Sequence, residues 1–327
     1  MPFNVFVTRA IPEAGLALLR QHCETVEVNP EDRVLSRPEL LTAVAGRDGV
    51  LCLLTDTIDE EVLTAAGPQC RVFANMAVGF NNVDLAAATR RGVLITNTPG
   101  VLTETTADLT WALLMAVARR IVESDRHFRT GHWQGWGPMQ FLGRDIHGAT
   151  LGIIGAGRIG TAVGLRSAGF QMRILYTSEE ANGVLDKLGA RRVALENLLR
   201  ESDFVTLHVP LTDQTRHLIG DRELALMKSS AFLINTSRGP VVDERALVRA
   251  LRERRIRGAA LDVYEEEPQP APGLIELDNV VCIPHLGSAT ESTRSRMATM
   301  AAENLVAALQ GRQPSNLVNS EVLERRP

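Results

Sequence analysis

Three short segments hold the side chains with which this chain can do chemistry. Asn235-Thr236-Ser237-Arg238-Gly239-Pro240 puts Arg238 just past an apolar run. Leu261-Asp262-Val263-Tyr264-Glu265-Glu266-Glu267-Pro268 puts four acids past a second, and Val280-Val281-Cys282-Ile283-Pro284-His285-Leu286-Gly287 puts His285 past a third. A guanidinium binds carboxylate or carbonyl oxygens through directional, charge-assisted hydrogen bonds. Histidine exchanges a proton near neutral pH, and an acid beside it favours the imidazolium form. Taken singly, an arginine after a strand is more often a surface ion-pair residue, a lone histidine is more often packing, and adjacent glutamates are more often a solvated turn. Their joint occurrence just past apolar runs gives them weight.

A fourth segment, Gly155-Ala156-Gly157-Arg158-Ile159-Gly160, follows the apolar run Thr150-Leu151-Gly152-Ile153-Ile154 and leads into a helical stretch over 158–168. In that setting the first glycine permits a tight turn, the second lets the backbone approach a pyrophosphate and the third permits close helix–strand packing. Free amides at the helix start then favour phosphate charge. A merely structural glycine turn is the alternative. An acid about 20 residues further on would bind the adenosine ribose. Here Leu175-Tyr176-Thr177-Ser178-Glu179-Glu180 places Thr177 at that position and Glu179 slightly late, and no arginine replaces the acid to meet a 2′-phosphate. Thr177 and Ser178 accommodate either cofactor, while Glu179 and Glu180 repel an extra phosphate. The expectation is NAD(H), with NADP(H) possible.

These groups need a frame. The spacing predicts strands over 4–8, 51–54, 71–74 and 93–96, separated by helices over 13–21, 59–66 and 85–91. After Thr98-Pro99-Gly100, a helix over 104–120 is read as linking two domains, and the tryptophan-rich stretch 133–138 as irregular. A second series has strands over 150–154, 172–176, 204–209, 231–235, 259–263 and 280–283, with helices over 243–254 and 291–309. Strands alternating with helices imply an α/β fold of two Rossmann-like domains with mainly parallel sheets and an interdomain cleft, where groups past the strand ends converge. A length of 327 residues fits two domains. The 4% aromatic content leaves the core to Ala, Leu, Val and Ile.

The net charge of −4 creates no field for nucleic acid, and the basic run 252–257, broken by Glu253 and Ile256, reads as a solvated helix end. No apolar run approaches the roughly 20 residues needed to cross a bilayer. The opening Met1-Pro2-Phe3-Asn4-Val5-Phe6-Val7 lacks the regions of a signal peptide. Cys23, Cys52, Cys70 and Cys282 have no metal-like spacing and are expected to be free thiols. No metal is expected, and the cytoplasm is the expected compartment.

Gly79-Phe80-Asn81-Asn82-Val83-Asp84, the glycine loop, Ser237-Arg238-Gly239-Pro240-Val241-Val242-Asp243 and Pro284-His285-Leu286-Gly287-Ser288-Ala289, in that order, closely resemble the D-isomer-specific 2-hydroxyacid dehydrogenases. The resemblance spans nearly the whole chain and is strongest to the glyoxylate and hydroxypyruvate reductases, partly through Met76-Ala77-Val78-Gly79. Asn81 stands where the family usually has an acid. The resemblance implies a substrate-binding domain of residues 1–98 and 288–327 and a dinucleotide-binding domain of 99–287. It implies NAD(P)H-dependent reduction of glyoxylate or hydroxypyruvate, or of another small 2-keto acid, with Arg238, Glu267 and His285 catalytic. Glu267 is preferred over Glu265 and Glu266 because it directly precedes Pro268. Arg238, Leu54, Ala77, Val78, Gly79 and Trp136 would meet the substrate. Thr103, Gly155, Ala156, Gly157, Arg158, Ile159, Gly160, Thr177, Ser178, Val209, Pro210, Asp262 and His285 would meet the cofactor. Leu53 and Met76 are further pocket candidates, and Trp136 is expected to reach a partner's pocket in a homodimer. The alternatives are a phosphoglycerate-type dehydrogenase, for which no phosphate-binding cations can be assigned, and a non-enzymatic dinucleotide-sensing corepressor. Phosphite dehydrogenases carry a lysine in the loop occupied here by Met76-Ala77-Val78-Gly79.

Overall fold

Strands joined by helical crossovers return in the same direction, so they pair in parallel. The computed structural model, which describes residues 2–325, contains two such sheets in two units, Met1–Leu102 with Ala289–Pro327 and Thr103–Ser288. The first unit runs β1 (Asn4–Val7), α1 (Glu13–His22), β2 (Thr25–Val28), α2 (Arg37–Val44), β3 (Gly49–Cys52), α3 (Glu60–Ala66), β4 (Val72–Asn75), α4 (Leu85–Arg90) and β5 (Leu94–Thr96). Its strands lie in the order β2-β1-β3-β4-β5, all parallel. β3, β4 and β5 are buried throughout, as a sheet covered on both faces requires. On one face Val5, Val7 and Leu51 pack with Leu16 and Leu19 of α1 and with Met297, Ala301 and Leu305 of the C-terminal helix Glu291–Leu309. A Cβ at Gly15 would stand 2.7 Å from the Ala298 carbonyl oxygen, so glycine is what lets these two helices touch.

The second unit runs α5 (Thr103–Ala118), α6 (Ile121–Arg129), β6 (Thr150–Ile154), α7 (Arg158–Arg166), β7 (Arg173–Thr177), α8 (Gly183–Lys187), β8 (Arg191–Arg192), α9 (Leu195–Glu201), β9 (Phe204–Leu207), α10 (Asp221–Leu226), β10 (Phe232–Asn235), α11 (Glu244–Arg252), β11 (Gly258–Leu261) and β12 (Val280–Cys282). The helix Glu291–Leu309 is then α12. Seven parallel strands lie in the order β12-β11-β10-β9-β6-β7-β8. The order reverses between β6 and β9, the place where open α/β sheets bind ligands. Leu151, Ile153, Trp111 and Val163 fill one face; Ile154, Val205, Leu207 and Leu247 fill the other.

Several elements depart from the sequence-based expectation. The strand expected over 51–54 is Gly49–Cys52, which leaves Leu53 and Leu54 in the loop beyond it. The helix expected over 104–120 ends at Ala118, Arg120 takes a left-handed backbone (φ 55°), and α6 restarts at Ile121 with no buried residue. β2, α2, α8, β8, α9 and α10 are additional to the expected elements.

Cys23, Cys52 and Cys70 are buried free thiols, and burial pushes their pKa values up, to about 11 at Cys23 and about 12 at Cys70. Cys282 is free and half-buried. Among the described residues no helix is long and apolar enough to cross a membrane, and no cluster of side chains could hold a metal ion.

Candidate active site

The buried strands β10 and β11 and the half-buried edge strand β12 stop nearly level, with Asn235 opposite Leu261 and Leu261 opposite Cys282. Their following loops carry the three chemical segments. His285 Nδ1 donates to Glu267 Oε2 at 2.9 Å, and the other carboxylate oxygen accepts the Tyr264 amide at 3.1 Å. The Tyr264 hydroxyl in turn donates to the Ile283 carbonyl at 2.9 Å, tying the loop after β11 to the loop after β12. Burial alone would raise the Glu267 pKa. The hydrogen bond and charge of His285, with the Tyr264 amide and the charge of Arg238, outweigh it and hold the carboxylate below its ordinary range. Glu265 is occupied elsewhere: it meets His217 Nε2 at 2.5 Å and accepts the Glu244 amide at 3.2 Å. Glu267 is therefore the acid that pairs with His285.

His285 itself sits in the left-handed region (φ 53°). Such backbone costs a non-glycine residue about 1–3 kcal/mol and persists only where its surroundings enforce it. Here the enforcing group is Asp262. Its carbonyl accepts the His285 amide at 2.9 Å, and its two carboxylate oxygens accept the amides of Leu286 and Gly287. Burial raises the Asp262 pKa, opposed by those amides and the charge of His285.

Arg238 is partly buried, with Nη1 donating to the Ser237 carbonyl at 2.7 Å. Burial lowers its pKa and the charge of Glu267 opposes the shift; a guanidinium stays charged through such changes. Asn235 Nδ2 holds the Arg238 carbonyl at 3.0 Å. Gly239 follows because a Cβ there would lie 1.8 Å from the Tyr264 carbonyl oxygen. The close approach of these two loops thus sets Arg238 beside the Glu267–His285 pair.

The glycine loop lies at the reversal of strand order. Gly155 has φ 94°, and a Cβ on it would meet His208 and Val209 backbone at 2.8 Å. A Cβ on Gly160 would stand 2.0 Å from the Gly155 carbonyl oxygen, whereas one on Gly157 would enter open space. Two of the three glycines thus serve packing, and Gly157 leaves room for a ligand against the start of α7. Arg158 opens α7 and is exposed; Ala156 and Ile159 are half-buried against the unit's core. The Gly155 amide donates to the Thr177 carbonyl at 2.9 Å, which puts Thr177 and Ser178 beside the loop. Val209 and Pro210 follow β9 next to Gly155, with Pro210 exposed and its carbonyl accepting from Thr215. Thr103 is the first residue of α5.

Three groups here escaped the sequence reading. Asn182 donates to the Ala156 carbonyl at 2.8 Å and to Thr161 Oγ1 at 2.7 Å, bracing the glycine loop. His208, whose amide bonds the Ile154 carbonyl at 2.8 Å, carries two buried ring nitrogens with no partner among the described residues, and burial lowers its pKa to about 3. The backbone of His208 packs against Gly155, while its neutral imidazole is buried with its polar atoms unsatisfied. Arg192 is the third, reached through the two-residue strand β8, which pairs with β7. Its guanidinium donates to the carbonyls of Ser178, at 2.8 Å, and of Glu179. The open face at Gly157 and the hydroxyls after β7 together fit a dinucleotide.

In the first unit, Ala77, Val78 and Gly79 follow β4. Their carbonyls accept from the Thr98 amide (2.8 Å), Asn97 Nδ2 (2.8 Å) and Asn75 Nδ2 (3.0 Å). Among the described residues the amides of Val78 and Gly79 have no protein acceptor. Asn82 Nδ2 ties this segment to the Leu53 and Asp56 carbonyls, at 3.1 and 2.9 Å. Leu53 and Leu54 are half-buried, Met76 and Ala77 buried. Trp136 is 85% exposed and Trp133 50% exposed, so neither is a core residue.

A glycine loop at the strand-order reversal and a His–Glu pair at the strand ends of one parallel unit define a dinucleotide-dependent α/β oxidoreductase. The model of the D-isomer specific 2-hydroxyacid dehydrogenase NAD binding domain matches residues 111–287. The glyoxylate reductase of Korarchaeum cryptofilum is 53% identical over 99% of this chain and 98% of that relative. The TT0316 protein of Thermus thermophilus superposes with a TM-score of 0.90 at 46% identity, over 96% of this chain and 99% of its own. An NADPH-dependent glyoxylate/hydroxypyruvate reductase from Sinorhizobium meliloti, solved with NADP and malonate, gives 0.84 at 29% identity over 98% of both chains. The chain belongs to the D-isomer-specific 2-hydroxyacid dehydrogenase family.

Proposed function

We propose that this chain reduces glyoxylate, hydroxypyruvate or both to the 2-hydroxy acid with NAD(P)H. The observation that carries the reading is the 2.9 Å contact of His285 with an acid held ionised, in a unit that also presents Arg238. A dinucleotide whose pyrophosphate is held at the glycine loop would supply hydride from its dihydronicotinamide to the substrate carbonyl carbon. Arg238 grips the substrate carboxylate and the adjacent carbonyl oxygen, drawing electron density toward that oxygen. His285 donates its Nε2 proton to the same oxygen, while Glu267 holds Nδ1 and favours the protonated ring. The second unit is assigned the dinucleotide, with Thr103, residues 155–160, Thr177, Ser178, Val209, Pro210 and Asp262 as contacts. The first unit is assigned the substrate, with Leu54 as a contact and the unpartnered amides of Val78 and Gly79 as donors to its carboxylate.

Exposed apolar side chains at Ile121, Phe128, Trp133, Trp136, Met139 and Leu142 favour a homodimer, in which Trp136 narrows the partner's substrate pocket. The cytoplasm remains the proposed compartment. Glu179 and Glu180 favour NAD(H), with NADP(H) accepted. A steady-state panel of glyoxylate, hydroxypyruvate, pyruvate and phosphohydroxypyruvate with NADH and NADPH tests the function. Glyoxylate or hydroxypyruvate should give the highest kcat/KM. Dinucleotide binding without turnover of any keto acid would overturn the reading in favour of a sensor.

A further inference from the structure

We propose that Arg192 is the residue through which this chain recognises the 2′-phosphate of NADP(H). The inference rests on the dinucleotide site proposed above and specifies its adenosine end. The ribose hydroxyls of a dinucleotide lie against the residue that ends the second strand of the Rossmann unit, where an acid selects NAD and a nearby arginine admits NADP. In this chain that residue is Thr177, whose carbonyl receives the Gly155 amide at 2.9 Å. No carboxylate stands at the position itself. β8 brings Arg192 across to the same loop, because Arg192 pairs with Tyr176, one residue before Thr177.

The guanidinium is held there by main-chain oxygens and not by an acid. Nε and Nη2 donate to the Ser178 carbonyl at 3.1 and 2.8 Å, and Nη2 also reaches the Glu179 carbonyl. Carbonyl acceptors fix its orientation without neutralising its charge, and among the described residues no carboxylate forms an ion pair with it. Among the described residues Nη1 makes no hydrogen bond, which leaves its donors for a ligand. Arg192 is exposed, as a group meeting the rim of a cofactor site must be. Glu179 and Glu180, exposed on the same loop, oppose it. A charged donor fixed beside two neutral hydroxyls recognises a phosphomonoester, and the two glutamates limit the gain so that both cofactors bind.

The arrangement escapes a local reading of the sequence because the arginine lies fifteen positions after Thr177 and arrives only through strand pairing.

The test compares dissociation constants for the whole enzyme, read from nicotinamide fluorescence for NADH and NADPH. Displacement of NADH by adenosine 5′-monophosphate and by adenosine 2′,5′-bisphosphate isolates the adenosine end. Arg192→Gln should raise the NADPH/NADH ratio of dissociation constants by about tenfold, the scale of one charge-assisted hydrogen bond at an exposed site. The bisphosphate/monophosphate ratio should move equally, and Arg192→Lys should restore part of both, with the wild-type preference weakening as salt rises. Equal loss for both cofactors would show that Arg192 only braces the loop, and unchanged ratios would show that the 2′-phosphate lies elsewhere; either overturns the inference while leaving the dinucleotide site intact. Failure of the wild type to bind any of the four ligands would instead overturn the site itself.

Discussion

Replacing Glu267 by Gln keeps a side chain of the same shape beside His285 and removes one charge. At the observed 2.9 Å separation, Coulomb's law gives about 1.4 kcal/mol with water-like screening and about 6 kcal/mol at an effective dielectric near 20. The side chains are 26% and 31% exposed, which favours the lower part of that span. The sign follows from the proposed mechanism: reduction uses a proton on His285, and the neighbouring negative charge favours the protonated ring. The rate of keto-acid reduction should therefore fall in Glu267→Gln, most at alkaline pH and least at acid pH. The carboxylate supplies its charge across this whole range because its pKa is held below the ordinary value. A depressed carboxylate pKa also stabilises the fold above its unfolded value of roughly 4.3, and that contribution is lost as the pH falls through the folded value. The wild type should accordingly lose its stability advantage over Glu267→Gln on acidification, as read by melting temperature. The kinetic assay is a pair of pH–rate profiles for glyoxylate reduction, made where a solvent isotope effect shows that proton transfer limits the rate. An unmoved alkaline limb under those conditions refutes the coupling, even if His285 is essential.

His285→Ala should lower kcat by on the order of 10²–10⁴-fold, the range for a positioned acid, with NADH binding retained by fluorescence titration. Arg238→Lys keeps the charge but loses the two-pronged geometry, and should lower kcat/KM for glyoxylate about tenfold or more in a folded, cofactor-binding protein. Unchanged steady-state constants would place Arg238 outside the site. Gly239→Ala drives a methyl group into the Tyr264 carbonyl, 1.8 Å away, and should cost about 1–3 kcal/mol in denaturant unfolding as well as impairing turnover. Trp136→Ala should shift kcat/KM toward bulkier keto acids relative to glyoxylate. Because Trp136 is 85% exposed, that substitution should change the unfolding free energy of an isolated subunit by no more than about 0.5 kcal/mol.

Elements that are buried and periodic were legible in the sequence. α12 has the expected bounds, and β6 and the glycine loop stand where the apolar run and the spacing put them. Elements whose existence depends on partners were not. β8 is two exposed arginines that become a strand only by pairing with β7, and α6 has no buried face to set a helical period. The same distinction divides the site. Glu267 was distinguishable from Glu265 by its place before Pro268, but the reason, that Glu265 is engaged by His217 and the Glu244 amide, is tertiary. Asp262 was read from the resemblance as a cofactor contact. Its bonds to the Leu286 and Gly287 amides add a structural duty, invisible to spacing, of holding His285 in a left-handed backbone.

That duty shows why the chemistry of the second unit cannot be separated from its core. Asn235, Leu261 and Cys282 lie level because of the parallel register of β10, β11 and β12, and β10 and β11 are buried on both faces. A shift of one residue would turn every side chain of a strand to the opposite face, so the packing of Phe232, Leu233, Ile234 and Ala260 forbids it. Register then determines where Arg238, Glu267 and His285 leave the sheet. The close contact of Gly239 with Tyr264, the Tyr264 hydroxyl on Ile283 and the Asp262 carboxylate on two amides convert that common edge into fixed distances. None of these linking groups needs to touch a substrate to matter. If Glu267 and His285 act as the proposed acid–base pair, a displacement of an ångström would forfeit much of the rate, and the loops' hydrogen bonds would govern turnover as directly as the side chains they hold.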